Sequence, residues 1–192
     1  MNSKKSILVS MAQVTFLFTA ALASAFVRAD DNGAASNGVL TINGELTAQS
    51  CKINGNGQGA NFTVTLPKTS SANLAEAGSV AGSTGFSIAL TNCTPNSGNV
   101  HTFWQTGVNT LPNGNLKNNG SAKNVEVQLQ DFNGSSAAVI DVSKANGAQN
   151  SRSASIDGGA ANLHYAAQYI STEGGAAAGT VTTSVTYSLA YD

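Results

Sequence analysis

Val181-Thr-Thr-Ser-Val-Thr-Tyr-Ser-Leu-Ala-Tyr-Asp192 closes the sequence. Val181, Thr183, Val185, Tyr187, Leu189 and Tyr191 alternate with Thr182, Ser184, Thr186, Ser188, Ala190 and Asp192. An unbroken period of two over this length predicts a long β-strand with one buried face. No later segment is there to pair with it, so its apolar face and its main-chain edge are expected to need cover from elsewhere. A second alternating stretch lies near the other end: Leu40, Ile42, Gly44 and Leu46, with Thr41, Asn43 and Glu45 between. A strand wanting at one end and spare at the other suits a subunit that polymerises.

The beginning of the chain sets the expected compartment. Lys4 and Lys5 precede an apolar run from about Ile7 to Val27, and small residues follow at Ala23-Ser24-Ala25 and Val27-Arg28-Ala29. Basic start, apolar middle and small-residue exit predict a secretory signal peptide over residues 1–29, cut after Ala29 or Ala25. A membrane anchor is the competing reading, and Gln13, Thr15 and Thr19 within the run weigh against it. Cleavage after Ala29 leaves 163 of the 192 residues, enough for one domain with a real core. It removes three of the nine basic residues and none of the ten acidic ones, so the remainder carries a net charge of −4. Charge is sparse and has no basic stripe, which argues against nucleic acid and anionic lipid as partners.

Both cysteines, Cys51 and Cys93, lie beyond the signal. In an exported chain a lone pair of cysteines is expected to join. The bridge would span 42 residues, worth about 4 kcal/mol by chain-entropy reasoning. A free or metal-binding pair is the alternative, but no histidine or third cysteine stands nearby to complete a metal site. No metal and no cofactor are expected.

The remaining apolar residues come in short alternating clusters: Phe62-Val64-Leu66, Phe86-Ile88-Leu90, Val100-Thr102-Trp104, Val125-Val127-Leu129 and Leu163-Tyr165-Ala167-Tyr169. Gly, Asn and Pro turns separate them, which indicates an all-β antiparallel sandwich. Only Ser71 to Ala77 is expected to make a short helical turn. Residues 107–124 and 143–161 read as solvated surface connections. The polar stretch Asp30 to Gly38 is too poor in apolar residues to bury itself and is expected to be disordered in an isolated subunit.

Four blocks together resemble the type 1 fimbrial subunits of the chaperone–usher class. They are Gly38-Val-Leu-Thr-Ile-Asn-Gly44-Glu-Leu-Thr-Ala-Gln-Ser-Cys51, Gly85-Phe-Ser-Ile-Ala-Leu-Thr-Asn-Cys93, Asn124-Val-Glu-Val-Gln-Leu-Gln-Asp131, and the closing strand with its penultimate Tyr191 and a glycine, Gly179, fourteenth from the end. The resemblance implies an incomplete immunoglobulin-like sandwich lacking its final strand and completed by a donated one. It implies a signal peptide over 1–29, a donor-strand extension over 30–46 and a pilin domain over 47–192. Leu40, Ile42, Gly44 and Leu46 would be the donor strand, with Gly44 where no side chain fits. Gly179, Val185, Tyr187, Leu189 and Tyr191 would form the acceptor groove and chaperone contact, and Cys51 and Cys93 the disulfide. The implied partners are other copies of the chain or related pilins in a head-to-tail polymer, a periplasmic chaperone and an outer-membrane usher. The implied location is a cell-surface fimbrium reached through the periplasm, supporting cell adhesion.

Catalysis has little support in the sequence. G-x-S-x-G, H-E-x-x-H and phosphate-loop patterns are absent. His101 and His164 lie in strand-like segments without an acid or nucleophile pattern and read as surface or edge imidazoles. The alternative to a building block is a secreted sandwich domain that binds carbohydrate or protein, as a minor adaptor or adhesin subunit does. Its best residue would be Trp104 stacked on a sugar, yet alternation with Val100 and Thr102 points Trp104 to the core.

Overall fold

The computed structural model describes residues 39–44 and 49–192. Two compact units are distinguished, Met1–Gly44 and Glu45–Asp192. In the first, the described residues 39–44 form no strand, and Val39, Leu40 and Ile42 are exposed. The signal segment 1–29, the polar stretch Asp30 to Gly38 and Leu46 of the expected donor strand lie outside the described residues.

The second unit is an all-β sandwich. Its strands are β1 (Ser50–Gly55), β2 (Ser79–Thr94), β3 (Gly98–Gln105), β4 (Leu116–Lys117), β5 (Glu126–Asp131), β6 (Ala138–Val139), β7 (Ala154–Ile156), β8 (Ala161–Ser171) and β9 (Thr186–Tyr191). One sheet runs β1-β2-β8-β5-β4, with β6 beside β5; the other runs β7-β3-β9. Every named pairing is antiparallel. The helical turn expected near Ser71 is a 3-10 turn over Ser71–Leu74, capped by the Ser70 hydroxyl accepting from the Ala72 amide.

The alternating clusters supply the core. Phe86, Ile88 and Leu90 of β2 face Tyr165 and Leu163 of β8, and Val127 and Leu129 of β5 extend that surface. Across the sandwich β3 contributes Val100 and Trp104. Trp104 meets Tyr165 edge-on at 5.2 Å between ring centres and Phe86 edge-on at 6.2 Å, geometries that the ring quadrupoles favour. Trp104 is 2% exposed, so it offers no face to a sugar. Cys51 and Cys93 are disulfide-bonded, fastening β1 to β2.

The two stretches read as solvated connections are more structured than their composition announces. Residues 107–124 contain β4, and residues 143–161 contain β7. Gln149, in the second, is 2% exposed. Its carboxamide accepts from the Trp104 amide at 2.9 Å and donates to the Trp104 carbonyl at 2.7 Å. That is the pair of bonds a neighbouring strand would make, supplied by one side chain just beyond the point where β7 stops pairing with β3. The same loop corrects the expectation for His101. Its imidazole is buried, not at the surface, because Asn146 comes within 2.8 Å of Nε2 and Asp192 within 3.4 Å of Nδ1. His164 is exposed, as expected. Asp131 of β5 is wholly buried and held by the Arg152 guanidinium at 2.7 Å, the Arg152 amide and the Asn133 amide and side chain. A buried carboxylate needs such partners.

Candidate functional site

Two of the expected strands fall short, and they do so together. The sequence predicts one strand from Val181 to the end, yet β9 begins only at Thr186. The cluster Phe62-Val64-Leu66 belongs to no strand at all. Both segments nonetheless keep the alternation. Phe62, Val64, Leu66, Val181, Thr183 and Val185 are half-buried, while Asn61, Thr63, Thr65, Thr182 and Ser184 are exposed. They have the side-chain pattern of strands without the ladder.

These segments are the walls of a groove of about 760 Å³. Residues 60–66 line one wall and residues 181–187 the other. The floor is apolar: Phe86, Trp104, Leu116, Val127, Leu129 and Ala167. The Tyr187 hydroxyl donates to the Ala60 carbonyl at 2.6 Å, tying one wall to the other. Trp104 Nε1 and Thr183 Oγ1, both on lining residues, are buried and lack a partner among the described residues. Such orphaned groups cost about 1–3 kcal/mol each.

Register decides which way the C-terminal wall presents its main chain. Asp192 donates its amide to the Asn99 carbonyl, and β9 pairs with β3 so that Ala190 faces His101 and Ser188 faces Phe103. The even-numbered residues are therefore the hydrogen-bonded pairs, and the odd-numbered ones point their amides and carbonyls away from β3. The parity continues upstream. Thr182 donates to Asn118 Oδ1 at 2.9 Å and accepts from the Asn119 amide at 2.8 Å, and the Ser184 carbonyl accepts from Asn109 Nδ2 at 3.0 Å. Among the described residues, no main-chain partner stands on the odd side of Val181, Thr183 and Val185, and β9 pairs with β3 alone. An apolar floor beside a row of free main-chain groups is what an added strand requires: side chains are buried below while amides and carbonyls pair along the edge.

The expected site residues distribute as follows. Val185 and Tyr187 line the groove. Leu189 and Tyr191 continue the same face further along β9, half-buried against the core, and do not line it. Burial pushes the phenols of Tyr187 and Tyr191 above their ordinary pKa, and for Tyr191 a hydrogen bond with the Cys51 main chain opposes the rise. Gly179 is outside the lining and has a different task. A Cβ there would lie 2.3 Å from the Ala122 nitrogen and 2.6 Å from its Cα. Only glycine lets the chain entering the wall press against residues 121–122 so closely. Gly120 reciprocates, since its Cβ would lie 2.1 Å from the Thr180 carbonyl oxygen. Val181, Thr183 and the opposite wall, Phe62, Val64 and Leu66, were not among the expected site residues. Their alternation was legible, but nothing in it distinguishes a wall from an ordinary paired strand.

The family model described as "Type-1 fimbrial protein, A" matches residues 66–192. The chain belongs to the type-1 fimbrial protein family. Among curated relatives it is similar to the F17 fimbrial protein of Escherichia coli, 36% identical over 82% of this chain and 88% of that one. It is also similar to the major fimbrial subunit SMF-1 of Stenotrophomonas maltophilia (strain K279a), 40% identical over 82% of this chain and 94% of the relative. Among solved structures it is similar to the P pilus rod subunit PapA, with 16% identity, a TM-score of 0.49, and coverage of 74% of this chain and 99% of that one. The chain is thus a fimbrial subunit, part of a surface fimbrium. Among the described residues no group of potential metal ligands comes together, and no helix is long and apolar enough to cross a membrane.

Proposed function

We propose that this subunit polymerises head to tail by donor-strand exchange, and that the groove between residues 60–66 and 181–187 receives the donated strand. The observation that carries the reading is the pairing of an apolar floor with a wall whose odd-numbered main-chain groups have no partner among the described residues. The donor in the fibre is the 30–46 segment of the next subunit, with Leu40, Ile42 and Leu46 entering the groove and Gly44 passing where a side chain would not fit. Before assembly a periplasmic chaperone fills the same place, and an outer-membrane usher exchanges one strand for the other. Donor and acceptor are different surfaces, so the contact is heterologous and extends into an open filament that carries adhesion at the cell surface.

Magnitudes show why the strand edge matters. Fully burying three side chains of this size is worth roughly 5–9 kcal/mol, comparable with the ~4–15 kcal/mol cost of association. Apolar insertion alone therefore gives a marginal contact. Main-chain bonds along the odd edge, at about 0.5–1.5 kcal/mol each, have to supply the excess that keeps a fibre together.

The test is the behaviour of surface-sheared protein from a host carrying its own assembly genes, run on SDS gels unboiled and boiled. A ladder that collapses to monomer on boiling, and is missing in a variant lacking residues 30–46 behind an intact signal, is the expected result. Soluble monomer in every lane would sink the reading.

A further inference from the structure

The C-terminal wall is held straight on the side away from the groove not by a strand but by asparagine side chains and two loop amides, Asn119 bonding to the Thr182 carbonyl at 2.8 Å and Ala122 to the Thr180 carbonyl at 3.0 Å. Asn118 makes four bonds with one carboxamide. Its Oδ1 accepts from the Gly120 amide at 2.8 Å and the Thr182 amide at 2.9 Å, and its Nδ2 donates to the Ala122 carbonyl at 3.0 Å and the Thr180 carbonyl at 3.3 Å. Asn109 Nδ2 donates to the Ser184 carbonyl at 3.0 Å and to Ser184 Oγ at 3.1 Å. Asn119 gives its amide to the Thr182 carbonyl and its Nδ2 to Asn109 Oδ1 at 2.9 Å. Thr180 exchanges bonds with Ser121 through both hydroxyls and both amides. Every contact that reaches the wall falls on the main chain of Thr180, Thr182 or Ser184, or on the side chains of those residues. The odd-numbered edge is left free for whatever enters the groove.

We infer that Asn109, Asn118 and Asn119 are positioning residues for strand capture. They substitute for a neighbouring strand over residues 180–184, where β3 has ended, and so hold the wall extended with its free edge ready. An edge ordered beforehand spares the incoming strand the cost of ordering the wall, and that saving appears in the capture rate and affinity. A loop serving only the stability of the sandwich would alter unfolding and leave capture unchanged. The inference rests on the strand-acceptor reading above and adds which residues govern it.

The test uses the exported chain recovered as monomer and a synthetic peptide with the sequence of residues 38–47. Association is followed by native mass spectrometry, with hydrogen exchange of the Thr182 amide measured in parallel. Wild type is expected to capture the peptide. Asn118→Ala should slow capture about tenfold and Asn109→Ala about threefold, each with faster exchange at Thr182 and unchanged exchange at Ile88 in the core. Asn118→Asp keeps the acceptor for Thr182 and should fall between wild type and alanine. Asn113→Ala, whose side chain bonds to Glu126 and the Asn115 amide and not to the wall, should capture at the wild-type rate. Should Asn118→Ala fail to fold, Asn109→Ala carries the test alone. Capture at the wild-type rate by Asn109→Ala and Asn118→Ala would overturn the inference and leave the strand-acceptor reading standing. Failure of wild type to capture the peptide would remove both.

Discussion

Strands β8 and β9 carry the same alternation of apolar and polar residues and end in opposite situations. In β8, Leu163, Tyr165 and Ala167 are buried, with β2 on one side and β5 on the other. In β9 the corresponding residues, Tyr187, Leu189 and Tyr191, reach only half-burial, and β3 is the one partner among the described residues. Upstream, Val181, Thr183 and Val185 keep the pattern with no strand partner on either side among the described residues. Periodicity makes a segment extended and chooses which face it buries. The number of neighbouring strands decides how far that face is buried and whether its main chain is spent. A half-buried apolar stripe beside free main-chain groups is therefore the mark of a sheet still able to grow.

Two leucines separate the strands most strongly. Leu163→Ala in β8 leaves a cavity in a site closed on all sides and should cost about 2–5 kcal/mol. Leu189→Ala in β9 removes a half-buried side chain from an edge and should cost about 1 kcal/mol in the monomer. Urea unfolding of the monomer, followed by circular dichroism, measures both. Equal losses would mean that β9 is already as enclosed as β8, and the distinction between the strands would fall.

Gly179→Ala probes the hinge between the closed and open regions. Its Cβ would collide with the main chain of Ser121 and Ala122, and main chain yields less readily than a side-chain tip. A cost of about 1–3 kcal/mol is expected from such overpacking. It should be expressed locally, as faster hydrogen exchange at Thr180 and Thr182 and a lower fibre yield, with the β2–β8 amides still protected. Uniform loss of protection across the sandwich would show that the wall and the core are one cooperative unit.

Much of this was legible in the sequence because it rests on side-chain period and turn chemistry. The Phe86, Val100, Val125 and Leu163 clusters all became strands where alternation placed them, and Trp104 went to the core with Val100. The closing strand was legible too, but not the split at Thr186, because alternation is identical on the two sides of it. What stayed hidden was the work of amide side chains. Gln149 standing in for a strand beside Trp104, Asn146 covering His101, and Asn118 bracing Thr182 have no period and sit in stretches whose composition says loop. Carboxamides that replace a strand's hydrogen bonds leave the same sequence trace as carboxamides in water.

The smallest effect separates the strands by pH. Tyr165 in β8 has its phenol pushed up by burial, with the Ser151 hydroxyl 3.5 Å away opposing and the Asp131 charge adding to the rise. Tyr187 and Tyr191 are pushed up by burial as well, though they are far less enclosed. A phenol whose pKa is higher folded than unfolded stays protonated longer in the native state. Its contribution to stability is complete below the unfolded value of about 10 and is lost as pH rises from there through the folded value. Monomer stability should therefore decline above about pH 10. An added strand would deepen the burial of Tyr187, which lines the groove, and leave Tyr165 where it is. In a Tyr169→Phe background, needed because Tyr169 also lines the groove, ultraviolet titration of the phenolates should show one tyrosine moving to higher pH when the 38–47 peptide is bound, and adding Tyr187→Phe should abolish that movement. If the movement survives in Tyr187→Phe, the bound strand covers a part of β9 other than the one that lines the groove.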